Sequence, residues 1–305
     1  MTTMATPTQS TPDSQVPNYN PKSESVTAKR VKSTIFHIVA LALTAVVLYP
    51  GVWMIASSFK PNSEIGGANT SLWSNNFSFD NFVTAMDGIG GVTTLQFFTN
   101  SLILAIGAVV GTILSASVSA YAFARIKFPG RSIFFGMMIA TLLLPFHVVI
   151  IPQYIIFNQL GLVDTYIPLL IGKFLAADAF FVFLMVQFMR NLPAELDEAA
   201  RIDGAGHVRI FTSIMLPLMK PALISTSIFS FIWSWNDFLG PLLYLNTPEK
   251  YPLPLALRLF VDQTQSSDYG AMIAMSVLAL LPVLIFFLVF QRYIVEGVST
   301  QGLKG

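Results

Sequence analysis

The chain has 305 residues, of which 54% are hydrophobic and 11% charged, and its mean hydropathy is +0.65. Soluble proteins carry about 25% charged residues, so this composition defines a polytopic membrane protein embedded in lipid. A formal net charge of +1 without a long basic run argues against nucleic acid as a partner, and with no cysteine neither a disulfide nor a thiolate metal site can form.

Residues 1–32 are rich in Thr, Ser, Pro, Gln and Asn and hold almost no large apolar residue, a composition that predicts a disordered tail. It does not read as a signal peptide, because the first apolar run starts only after residue 32 and is longer than an h-region. Residues 33–305 then form one all-α transmembrane domain. A spanning helix needs about 20 apolar residues, and six stretches qualify: Ser33–Phe59, Ser101–Phe123, Ile133–Phe157, Tyr166–Met189, Lys220–Leu245 and Ala271–Phe290. Pro50-Gly51 is expected to kink the first. The second carries Gly107, Gly111, Ser115 and Ser119 at four-residue spacing, a stripe that lets another helix pack closely. Pro145 and Pro152 are expected to bend or interrupt the third. Asn62–Asn100 and Asn246–Gly270 are outer loops, and the tail from Gln291 ends in water.

Between the fourth and fifth stretches lies an island of charge, with four acids and three bases between Arg190 and Pro217. Pro193 suits the start of a helix, and Glu195, Asp197 and Glu198 supply the negative charge that a helix N-terminus favours. Ala199 and Ala200 add little bulk, so another protein's surface can approach closely. Asp203-Gly204-Ala205-Gly206 breaks the helix, and His207–Met215 reads as a second helix stopped at Leu216-Pro217. The prediction is a helix-turn-helix projection. His37, His147 and His207 are too far apart for metal-ligand spacing and read as structural, and no metal site is expected.

The run Glu198-Ala199-Ala200, three residues, Gly204, nine residues, then Ile214-Met215-Leu216-Pro217 resembles the cytoplasmic loop signature of binding-protein-dependent ABC importer permeases. The segments Ala120-Tyr121-Ala122-Phe123-Ala124-Arg125 and Trp235-Asn236-Asp237-Phe238, with the ending from Gln291 to Gly305, are similar to the carbohydrate-importing (maltose/oligosaccharide-type) branch. The resemblance covers about residues 34–305 and implies a type I importer permease fold of six spans in a prokaryotic inner or plasma membrane. It implies a coupling helix that fits a cleft on a separate ATP-hydrolysing subunit, with Glu198 making a polar contact. Ala199, Ala200, Asp203, Gly204, Ile214, Leu216 and Pro217 share that loop. The implied partners are a second, related permease subunit, two ATP-binding subunits, an outer solute-binding protein and a sugar. ATP and Mg belong to the partners, since this chain has no G-x-x-x-x-G-K-[ST] loop to cradle phosphates and is expected to bind no cofactor and act as no enzyme.

Six spans place both termini on one side. Lys22, Lys29, Arg30, Lys32, Arg125, Lys127, Arg131, Arg190, Arg201, Arg209, Lys220, Arg292 and Lys304 share it, against Lys60, Lys250 and Arg258 opposite, so that side is predicted to be cytoplasmic. Ionisable groups inside spans are costly and mark paths or partners; here they are Lys173, Asp178 and Asp237. Ser230, Trp233, Asn236 and Asp237 fall on one helical face by three- and four-residue steps, offering an aromatic plate and hydrogen-bonding groups for a sugar. Packing of Trp233 and Trp235 on a neighbouring helix, with Asp237 bonded to backbone or a nearby polar group, explains the same residues. The function expected is import of a di- or oligosaccharide or a glycerol-phosphate-like polyol, driven by separate ATPases. The competing reading is a carrier driven by an ion gradient.

Overall fold

A computed structural model describes residues 26–65, 71–74, 76–261 and 268–302 of the chain; most of the predicted tail lies outside them. The chain divides into two units, Met1–Val52 and Trp53–Gly305. Helix α1 (Val26–Ser57) starts at Val26 rather than Ser33 and keeps Pro50 inside it.

In the second unit, the short helices α2 (Asn62–Ile65) and α3 (Asp80–Asp87) precede α4 (Thr94–Arg125). Thr93 caps α4, its side chain accepting from the Gln96 N–H at 3.4 Å. Helices α5 (Arg131–Thr141) and α6 (Phe146–Gln159) divide the expected third span. The break falls where Pro145 lacks an N–H and pushes Leu144 out of helical geometry. Pro152 is carried inside α6. Helices α7 (Ile167–Phe174) and α8 (Ala179–Arg190) follow, then α9 (Glu195–Ile202) and α10 (His207–Ile210). A π turn (Phe211–Met215) leads into α11 (Leu216–Leu218), α12 (Lys220–Trp235) and α13 (Leu239–Tyr244). After α14 (Leu253–Ala256), helix α15 runs from Tyr269 to Gly302, so the expected watery tail is helical over its described part.

Among the described residues, four helices are long and apolar enough to cross a membrane, namely Arg30–Ser57, Thr94–Arg125, Ile167–Arg190 and Tyr269–Gln291. The pair His207–Leu218 and Lys220–Trp235, bent by 75°, makes a fifth if it is one crossing. Outside the α-helices, the described residues form the π turn, two 3-10 turns (Pro248–Lys250 and Leu257–Phe260) and loops, with one isolated bridge between Ile89 and Val92.

Helix α4 is the central post, packing on α7, α8 and α12. Its glycine-serine stripe explains how. Gly107 faces Leu170, and a Cβ at Gly111 would stand 2.7 Å from the Phe174 ring, so α7 approaches as closely as these residues permit. Two apolar cores lie along α4. One gathers Phe97, Ala105, Phe231, Trp235, Leu253 and Phe260; the other gathers Ala116, Ala120, Tyr121, Phe181, Met185, Met189, Ile210, Met215 and Met219. At the end of the first core, Asp164 accepts from the Asn246 and Thr247 N–H groups and lies 2.7 Å from Lys250 Nζ. Burial alone would raise this carboxyl's pKa, but the bonds from Lys250, Thr247 and the two amides together hold it well below the carboxylate range.

Candidate functional site

The charged loop is built on the second core. Asp197 and Ala200, three residues apart on α9, turn inward and are buried, while Glu198, Ala199, Ile202 and Asp203 are exposed. Of the two alanines expected to face outward together, Ala200 therefore belongs to the core. The loop's outer face instead carries two large aliphatics, Ile202, 86% exposed, and Val208, 77% exposed. Neither figured among the predicted residues, although an isoleucine between Arg201 and Asp203 is a legible anomaly.

Helix α9 ends in a Schellman arrangement. The Ala205 N–H donates to Ala200 O at 2.9 Å and the Gly204 N–H to Arg201 O at 3.0 Å. This places Gly204 at φ 78°, where a side chain would strain the backbone, and the turn reverses the chain into α10. The second helix does not stop at Leu216. Pro217 has no N–H and its ring crowds the carbonyl four residues back, so the preceding turn widens into the π segment and the helix reaches Leu218 before the bend at Met219. Ile214 and Leu216 are half-buried and Pro217 is exposed.

Side chains of α4 pin this loop. Arg125 Nη2 donates to the carbonyls of Met189 at 2.9 Å and Leu192 at 2.8 Å, capping the end of α8. Its Nε lies 3.3 Å from Asp197 Oδ2, off the line of a hydrogen bond but within ion-pair range, with both side chains buried. One turn earlier, the Tyr121 hydroxyl meets His207 Nδ1 at 3.2 Å. The loop is thus held by α4 as well as by its covalent neighbours, α8 and α12.

A second constellation lies in the middle of the predicted fourth and fifth spans. The fourth is interrupted between α7 and α8, where Ala176 takes φ 55° and the Ala177 N–H bonds Gly172 O at 3.0 Å. That leaves Lys173 O without its helical donor, and Ser115 Oγ donates to it at 2.6 Å. Across the gap, Lys173 Nζ lies 2.7 Å from Asp178 Oδ2. Asp237, just past α12, accepts from the Gly240 N–H at 3.1 Å. A Cβ on Gly240 would meet both Asp237 Oδ2 and Leu169 of α7, which puts Asp237 beside the interrupted span.

The predicted face of α12 is only partly shared. Trp233, Asn236 and Asp237 are exposed, with Trp233 tilted against Phe180 at 5.2 Å and Phe181 at 5.0 Å. Ser230 is buried against α4, its hydroxyl 3.4 Å from that of Thr112. Trp235 is core, stacked on Phe231 and donating from Nε1 to Ala279 O at 3.1 Å.

The described residues therefore make a multi-pass helical membrane protein with a charged helical knob pinned to the ends of its spans. A family profile described as "Binding-protein-dependent transport system inner membrane component" matches residues 107–300. The permease protein NgcG of the diacetylchitobiose uptake system of Streptomyces coelicolor is 33% identical over 270 residues, covering 88% of this chain and 87% of its own length. The arabinooligosaccharides transport permease AraQ of Bacillus subtilis is 34% identical over 278 residues, 90% of this chain and 96% of its own. The sn-glycerol-3-phosphate transport permease UgpE of Brucella abortus is 32% identical over 272 residues, 88% and 96% respectively. A crystal structure of a bacterial ABC transporter involved in import of the acidic polysaccharide alginate has the same fold, with TM-score 0.78 at 23% identity over 90% of this chain and 99% of that one. The chain belongs to the family of inner membrane components of binding-protein-dependent ABC transport systems, whose members work with a partner ATPase and a solute-binding protein. Nothing in these findings favours an ion-gradient carrier.

Proposed function

We propose that this chain is the permease subunit of an ATP-driven importer for a carbohydrate or a related polyol, and that its charged loop receives the stroke of a separate ATPase. The sugar assignment is supported by relatives named for diacetylchitobiose, arabinooligosaccharides and sn-glycerol-3-phosphate. The coupling assignment rests on one observation: the loop offers Glu198, Ala199, Ile202, Asp203 and Val208 outward while Arg125 and Tyr121 tie its inner side to the central helix.

On this reading the chain makes six crossings, with the α5–α6 and α12–α13 segments each counted as one broken crossing and both termini in the cytoplasm. It pairs with a second permease subunit over two ATP-binding subunits that hold ATP and Mg; no nucleotide chemistry falls to this chain. Closure of the ATPase pair pushes α9, and Arg125 carries the displacement into α4 and α8. The exposed Trp233, Asn236 and Asp237, beside the Lys173–Asp178 pair, form this subunit's share of the solute path. Ser230 supports the wall behind it.

Glu198→Arg tests the coupling directly. The variant is expected to assemble and hydrolyse ATP when reconstituted with its partners, while solute uptake falls at least about tenfold, the equivalent of losing ~1.4 kcal/mol at one contact. Unchanged uptake would contradict the assignment.

A further inference from the structure

We infer that the solute is a neutral saccharide and that this subunit's part of the path discriminates against acidic ones; the inference rests on the carbohydrate reading above. Relatives and the structural neighbour span both kinds of solute, from arabinooligosaccharides to a glycerol phosphate and alginate. Membership alone therefore does not decide.

The half-buried Lys173–Asp178 pair and the exposed Asp237 do. Lys173 is the one Lys or Arg in the interior of the spans Thr94–Arg125, Ile167–Arg190, Lys220–Trp235 and Tyr269–Gln291, among the described residues. It is already engaged, since its ammonium lies 2.7 Å from Asp178. The interruption of the fourth span fixes that pairing, because Lys173 stands at the C-terminal end of α7, where a cation is favoured. Asp178 stands at the N-cap of α8, where an anion is favoured, and its carboxylate makes no capping bond there and turns to Lys173 instead. A carboxylate or phosphate arriving at Lys173 would have to displace a partner held from both sides.

Asp237 has no ion-pair partner within 4.0 Å among the described residues. It lies close enough to Lys173 to feel its charge, yet that charge is shared with Asp178. The three groups sum to one positive and two negative, and the exposed Trp233 and Asn236 lie on the same end of α12 as Asp237, with the Asn236 amide donating to Ile232 O at 2.8 Å. A sugar ring can stack its C–H face on Trp233 and donate hydroxyls to Asp237. An acidic sugar meets a carboxylate that has a backbone N–H but no cation of its own within ion-pair distance, and like charges repel.

The test uses the full importer, purified with its second permease, ATP-binding and solute-binding subunits and placed in vesicles. Uptake is measured for a panel of neutral di- and trisaccharides and for the same sugars oxidised at C6 to uronates. Neutral sugars are expected to be taken up at least about tenfold faster, a ratio worth ~1.4 kcal/mol. Asp237→Asn, with the same solute-binding subunit, is expected to shift that ratio severalfold towards the uronates without loss of assembly. Preferential uptake of uronates, or a ratio untouched by Asp237→Asn, would overturn the inference and leave the carbohydrate reading standing. No uptake of any saccharide, neutral or acidic, would bring down both.

Discussion

Arg125 makes three attachments from one guanidinium, to Met189 O, Leu192 O and Asp197, at the edge of the second core, to which Met189 belongs. Buried ion pairs add little net stability, but removing one partner strands the other charge at a cost of about 3–5 kcal/mol. Asp197→Ala is therefore expected to loosen α9 from α4 and to expose the loop's backbone. Trypsin, which cuts after Arg201 and Arg209, should cleave the variant severalfold faster than the wild type. Glu195→Ala, on the exposed side of the same helix, should not change the rate. Equal cleavage of all three proteins would show that Arg125 does not hold the loop. The pairing was illegible in the sequence, where Arg125 reads as a positive residue ending a span. The partner lies far along the chain, and only the fold brings it near.

At the scale of the elements, the segments marked by punctuation residues were legible and those shaped by tertiary packing were not. Pro145 announces the break between α5 and α6, and Gly204 announces the end of α9. The break between α7 and α8 has no such mark, because Leu175-Ala176-Ala177 has good helix-forming residues throughout. Packing overrides propensity there: Phe174 wedges against Gly111, Ser115 takes the freed Lys173 carbonyl, and Ala176 accepts a left-handed backbone. That conformation costs a non-glycine residue about 1–2 kcal/mol, and such strain gathers where structures move or bind. Ala176→Gly should relieve it and raise the thermal stability of the purified complex by up to ~1 kcal/mol, read as a higher midpoint in a melting curve. A lower midpoint would mean that the alanine methyl contributes packing that outweighs the strain. The face of α12 was half legible for a related reason. Helical spacing put Ser230 with Trp233, but α4 draws Ser230 inward to Thr112 and leaves Trp233 outside.

For the whole molecule, one helix joins two cores: α4 threads the apolar cluster near Asp164 and the cluster beneath the charged loop. On the proposed coupling, a displacement of the loop has a route to the Lys173–Asp178 gap through α4, which packs on α7 and α8 and bonds the Lys173 carbonyl through Ser115. The composition and the loop signature were enough to read the membrane class and the family. They were silent on Ile202 and Val208, the most exposed large aliphatics of the charged loop, whose burial on a partner would gain by the hydrophobic effect. Because the chain has no cysteine of its own, Ile202→Cys gives a unique chemical handle. Attaching a photoactivated crosslinker there in the assembled importer should yield a covalent product with the ATP-binding subunit. Crosslinks confined to this polypeptide or to lipid would contradict the claim that the loop is where the motor takes hold.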